Sequence, residues 1–108
     1  ILQGSKIHMS IKILELVGSF AEDKDQAASL RKEKILPTLK QGKNLELDFT
    51  GVTLTTQSFI HALISEALRQ NPDSALNLLS FKGCSDSVRG IVETVVQYVY
   101  ETINAEDQ

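Results

Sequence analysis

The chain has a single cysteine, Cys84, and no tryptophan. One thiol excludes an internal disulfide and any cysteine-rich zinc site, and it fits a reducing cytoplasm. The two histidines, His8 and His61, stand far apart, and Glu22, Asp23 and Asp25 lack the ligand spacing of a calcium loop. No metal and no cofactor is therefore expected. No apolar run approaches the roughly 18 residues that span a bilayer, and no secretory signal is visible. The expectation is therefore a protein without membrane spans, placed in the cytoplasm. Basic residues number 11 against 14 acidic ones, well mixed, for a net charge of −3. Nucleic-acid binding rests on clustered lysine and arginine, which this chain does not have.

What is present describes one domain. At 108 residues the chain is long enough for a single core. Residues 1–8 read as a cloning remnant or disordered lead-in, 9–104 as the domain, and 105–108 as a frayed acidic tail.

Hydrophobic periodicity gives the order β-α-β-α-β-α. Ile7–Leu16 alternates loosely, as a strand does, and Gly18-Ser19 is a turn. Glu22–Gln41 has helical spacing with acids at its start, but Pro37 predicts a kink there or an end near Leu36. Asn44–Thr50 puts Leu45, Leu47 and Phe49 on one face and Glu46, Asp48 and Thr50 on the other, which predicts a strand with one polar or open side. Thr55 or Thr56 then caps a helix to about Gln70, with the stripe Ile60, Leu63, Ile64, Ala67 and Leu68. Ala75–Phe81 reads as the third strand. Ser85 or Asp86 caps a last helix to about Ile103, striped by Val88, Ile91, Val92, Val95, Val99 and Ile103. Gly90 within it marks a place of close packing. Alternation of this kind predicts an α/β domain with a mixed or mostly parallel sheet and helices packed on it.

Residue chemistry alone gives no catalytic set. Ser58 and His61 are three apart on one helix, yet the glycines of a nucleophile elbow are missing around Ser58. The turn Thr53–Ser58 has no glycine, so no nucleotide fingerprint is present. Cys84 precedes a helix start, where a thiol's pKa can fall, but a lone cysteine after a strand reads as a small core residue. Asp48 lies late in the second strand, where α/β sheets gather ligands, and it can equally serve the following turn. The remaining signal is the crowd of hydroxyls at a helix start expected to be exposed.

Leu47-Asp48-Phe49-Thr50-Gly51-Val52 followed by Thr56-Gln57-Ser58-Phe59 resembles the STAS-like domain family of unknown function in prokaryotes, STAS standing for sulfate transporter and anti-sigma-factor antagonist. Ser85–Tyr100 resembles that family's last helix, and the likeness runs over residues 9–104. The family in turn resembles the true anti-sigma-factor antagonists, which carry Asp-Ser-Ser-Gly-Leu at the same helix start. Aligned without gaps, their phosphorylated serine falls on Ser58, their aspartate on Thr56 and their glycine on Phe59. Many STAS-like members continue with Ala-Asp-Glu, where this chain has Ile60-His61-Ala62. The resemblance implies a small STAS-like domain and a non-enzymatic regulatory module. Its protein partner would be an ATPase of the histidine-kinase type, and phosphorylation of Ser58 would break the complex. Asp48, Thr55, Thr56, Gln57, Ser58, His61 and Ser65 form the expected partner or ligand surface. A small-ligand or anion (nucleotide) sensor using the same helix start with Asp48, and a structural homodimer, are the alternatives.

Overall fold

A computed structural model describes residues 8–106. The start of the first strand at Ile7, residues 1–7 of the expected lead-in and the end of the acidic tail lie outside the described residues. The backbone of His8 opens the first strand.

The elements, in chain order, are β1 (His8–Lys12), α1 (Ile13–Val17), β2 (Phe20–Ala21) and α2 (Lys24–Leu30), which runs through a π-helical segment (Arg31–Ile35) into α3 (Leu36–Lys40). After these come β3 (Asn44–Asp48), β4 (Leu54–Thr55), α4 (Gln57–Gln70), α5 (Ala75–Leu78), β5 (Leu79–Lys82) and α6 (Asp86–Glu106). β1, β3 and β5 form one sheet in that order, with parallel pairing throughout. β2 and β4 make a separate two-residue parallel ribbon.

The strand order decides where the helices go. Right-handed crossovers between strands laid down side by side in chain order put every crossover helix on the same face. Accordingly α4 packs between α2 and α6 on one side of the sheet. Ile11, Leu45, Leu47 and Leu79 are buried beneath these helices. On the other face Ser10, Glu46 and Ser80 share one row, and Lys12, Asp48 and Lys82 the next. The edge-strand members of those rows are exposed and the central ones half-buried. A parallel sheet is normally covered on both faces. Here the alternation read in Asn44–Thr50 has a structural cause, because among the described residues this face is left largely open.

Four expectations need correction. The chain leaves the strand pattern at Ile13, because Ile13-Leu14 and Leu16-Val17 are spaced as one turn of helix; Ile13 is fully buried by it, and Gly18 ends it. Ala75–Leu78 is likewise helix rather than strand, with Ala75 and Leu78 three apart and turned to the core, so the third strand is only Leu79–Lys82. Helix α6 continues through Glu106, so Ala105 and Glu106 are not a frayed tail. Pro37 does not stop the second helix. The Leu36 N–H donates to the Arg31 carbonyl five residues back, a π turn. That wider turn relieves the clash of the proline ring with the preceding turn, at a point where proline brings no N–H to the ladder. The Arg31 side chain also ties this segment to α4, donating from Nη1 to the Ala62 carbonyl at 3.0 Å and lying 3.5 Å from Glu66.

Gly90 is the fifth correction. A Cβ placed there meets nothing within 4 Å, so no close packing requires glycine. Gly90→Ala is expected to raise stability by about 0.5–1 kcal/mol, since alanine loses less backbone entropy in a helix. Chemical denaturation would show this as a higher midpoint with an unchanged slope.

Candidate functional site

Ser58 owes its position to its neighbours. Thr56 is the N-cap of α4, with its hydroxyl accepting from the Phe59 N–H at 3.1 Å. Phe59 and Ile60 are fully buried, as are Leu63, Ile64, Ala67 and Leu68 along the expected stripe. The buried pair fixes the helix rotation. Gln57 and Ser58 are therefore left exposed in the first turn, and His61 lies exposed one turn on.

The segment ahead of the helix is less free than its composition implies. The Thr53 N–H donates to the Ser19 carbonyl at 2.8 Å, and the Thr55 hydroxyl donates to the Ala21 carbonyl at 2.8 Å. Together with the Thr53 hydroxyl on Ser19 and the Thr56 N–H on Ala21, these bonds sew Thr53–Thr56 to β2 and the residue before it. Thr55 and Thr56 are half-buried and serve the fold rather than an exposed hydroxyl cluster. Ser65, expected on the surface, is only 8 % exposed and belongs to the interior.

Gln57, Ser58 and His61 share a cleft of about 540 Å³ whose other walls are Lys24, Ala62, Thr94, Val95 and Tyr98. Lys24 comes from the first turn of α2, and Thr94, Val95 and Tyr98 from the middle of α6. The cleft thus lies where three helices converge. The Tyr98 side chain is 57 % exposed, and its ring centroid lies 6.3 Å from that of His61. Sequence reasoning did not find Lys24 or Tyr98. The available signal was Tyr98 itself, an aromatic off the valine stripe of α6 and so bound for solvent.

Asp48 is not part of this cleft. It lines a separate hollow with Lys12, Leu14, Glu15, Thr50 and Lys82. Its carboxylate accepts from the Thr50 N–H at 2.9 Å. Hydrogen bonds from the Thr50 side chain and backbone, followed by the charges of Lys82 and Lys12, hold its pKa below the usual aspartate value. The strand order sets this hollow apart from the usual ligand crevice of such sheets. Ligands of open α/β sheets gather where the strand order reverses, and β1-β3-β5 contains no reversal. Asp48 is a turn former here, and a ligand site combining it with the α4 start is not assembled. Cys84 is half-buried, and burial, more than any nearby charge, raises its thiol pKa instead of lowering it. Among the described residues no group of three His, Cys, Asp or Glu side chains is placed to hold a metal ion. No helix among them is long and apolar enough to cross a membrane.

The family model for a STAS-like domain of unknown function matches residues 26–89, which span the π-helical turn, the central strand, the whole of α4 and the start of α6. The chain belongs to this STAS-like family. The matched stretch contains Ser58 and its supports Thr56 and Phe59. Lys24, Thr94, Val95 and Tyr98 fall outside it, so this STAS-like domain completes its cleft with residues from beyond the matched region. No curated protein and no solved structure matches the chain.

Proposed function

We propose that this STAS-like domain is a non-enzymatic regulatory module that docks a protein partner on the face formed by Gln57, Ser58 and His61. In this reading phosphorylation of Ser58 switches the interaction off. The observation that carries the reading is the placement of Ser58. It is an exposed hydroxyl in the first turn of a helix whose rotation is fixed by the Thr56 cap and the buried Phe59, and it opens on a cleft. Such a hydroxyl is accessible to a kinase, while the backbone around it has little room to rearrange.

A phosphate would add about −1.5 to −2 charge at that point. The N-terminal end of α4 tolerates negative charge, so the domain itself stays folded. A partner seated on the same face would meet the new charge directly and would have to desolvate it. The partner class is an ATPase of the histidine-kinase type, by analogy with the anti-sigma-factor antagonists that the family resembles.

The test is the affinity of wild type and Ser58→Asp for such an ATPase, measured by titration calorimetry. A loss of about tenfold or more, equivalent to 1.4 kcal/mol, is the expected result. Equal affinities for the two proteins count against the switch.

A further inference from the structure

The cleft beside Ser58 has a charge character that the chain as a whole lacks. The protein carries three more acidic than basic residues. Yet of the eight residues lining the cleft none is acidic, one is the cation Lys24 and one is His61. Asp23 and Asp25 flank Lys24 in sequence, but neither lines the cleft; Asp23 is turned to the helix, where it caps the Asp25 and Gln26 N–H groups. Gln57, Ser58 and Thr94 add hydrogen-bonding groups, and Val95 with the exposed ring of Tyr98 supplies an apolar wall.

From this complementarity we infer that the cleft is the receptor for an acidic segment of a protein partner, a carboxylate-bearing side chain meeting Lys24 while a neighbouring aliphatic side chain lies against Tyr98 and Val95. The inference rests on reading this face as the partner surface, and it adds the chemistry of the partner. It also gives the Ser58 switch a specific form. A negative group on Ser58 enters the cleft next to Lys24 and takes the place of the incoming carboxylate. At such an interface like charges brought together cost far more than an exposed ion pair returns.

The probes are two capped pentapeptides of identical pattern, one of glutamate and leucine and one of lysine and leucine. Each is titrated into the isotopically labelled full chain and followed by NMR. The expected result is saturable shifts at Gln57, Ser58, His61 and Tyr98 with the acidic peptide and not with the basic one. Lys24→Glu should weaken the acidic peptide about tenfold or more, and the variant should fold, since acidic residues suit a first helical turn. Lys12→Glu, the same charge change on the open sheet face, should leave the affinity unchanged. An equal response to the two peptides, no saturable shift at those residues, or equal losses from Lys24→Glu and Lys12→Glu would overturn the inference. The two levels stay separable. If an ATPase partner is lost on Ser58→Asp but is indifferent to Lys24→Glu, the docking face stands and the acidic receptor falls.

Discussion

Gly83→Ala is expected to destabilise the domain by about 3 kcal/mol, from backbone strain together with overpacking. Gly83 follows β5 with φ of +70°, a conformation that L side chains rarely adopt, and a Cβ there would lie 2.8 Å from the Thr50 amide nitrogen and 2.9 Å from its Cα, as well as against its hydroxyl. Thr50 has no room to retreat. Its N–H is held by Asp48, and the preceding Phe49 N–H donates to the Lys82 carbonyl at 2.7 Å. For a domain of this size the loss corresponds to a fall of about 15 °C in thermal midpoint, a large part of a total stability of about 5–15 kcal/mol. Gly42→Ala provides the comparison, because Gly42 has φ of +75° with nothing within 4 Å of a Cβ. It isolates the backbone strain, costing about 1 kcal/mol. Thermal unfolding followed by circular dichroism checks both, and equal losses at the two positions would show that the Thr50 contact contributes nothing.

The second large effect separates two adjacent residues. Phe59→Ala is expected to cost about 3–5 kcal/mol, because the ring is fully buried and its loss leaves a cavity. Ser58→Ala should change stability by no more than about 0.5 kcal/mol, as for other exposed positions. The contrast bears on function. Phe59 holds the first turn of α4 at the rotation that presents Ser58, so under the proposed docking role Phe59→Ala should weaken partner binding and folding together. Ser58→Ala should leave the fold intact and, under the proposed switch, remove only the hydroxyl that would accept the phosphate. Urea denaturation of the two variants, beside their affinities for the same partner, distinguishes support from contact.

Much of this was legible in the residues. The stripe Ile60–Leu68 and a cap at Thr55 or Thr56 predict α4 with its end near Gln70, because helical periodicity, cap and stop signal agree there, and the structure selects Thr56. Leu45, Leu47 and Phe49 predict the central strand, and their polar alternates predict its open side. The failures have physical causes. Ile13–Val17 and Ala75–Leu78 are single turns of helix, too short for a period to be separated from a strand's, and tertiary packing decides them. Pro37 is absorbed by a π turn, which single-residue propensities do not describe. The hydroxyls of Thr53 and Thr55 read as a free cluster, because their carbonyl partners, Ser19 and Ala21, lie 34 residues away in sequence. The cleft was only half visible for the same reason. Gln57, Ser58 and His61 share a helix, whereas Lys24 and Tyr98 join them only once three helices have packed.

The strand order has a further consequence, in how the chain reaches this structure. His8 pairs with Asn44 and Leu45 with Leu79, so each parallel pairing closes a loop of about 35 residues at nearly the same entropic cost. Neither crossover is nested inside the other, and β3 is the partner in both. The central strand can therefore recruit its two neighbours in either order. Such a topology offers two parallel routes to one native state, both passing through the central strand that precedes β4 and the Ser58 helix start.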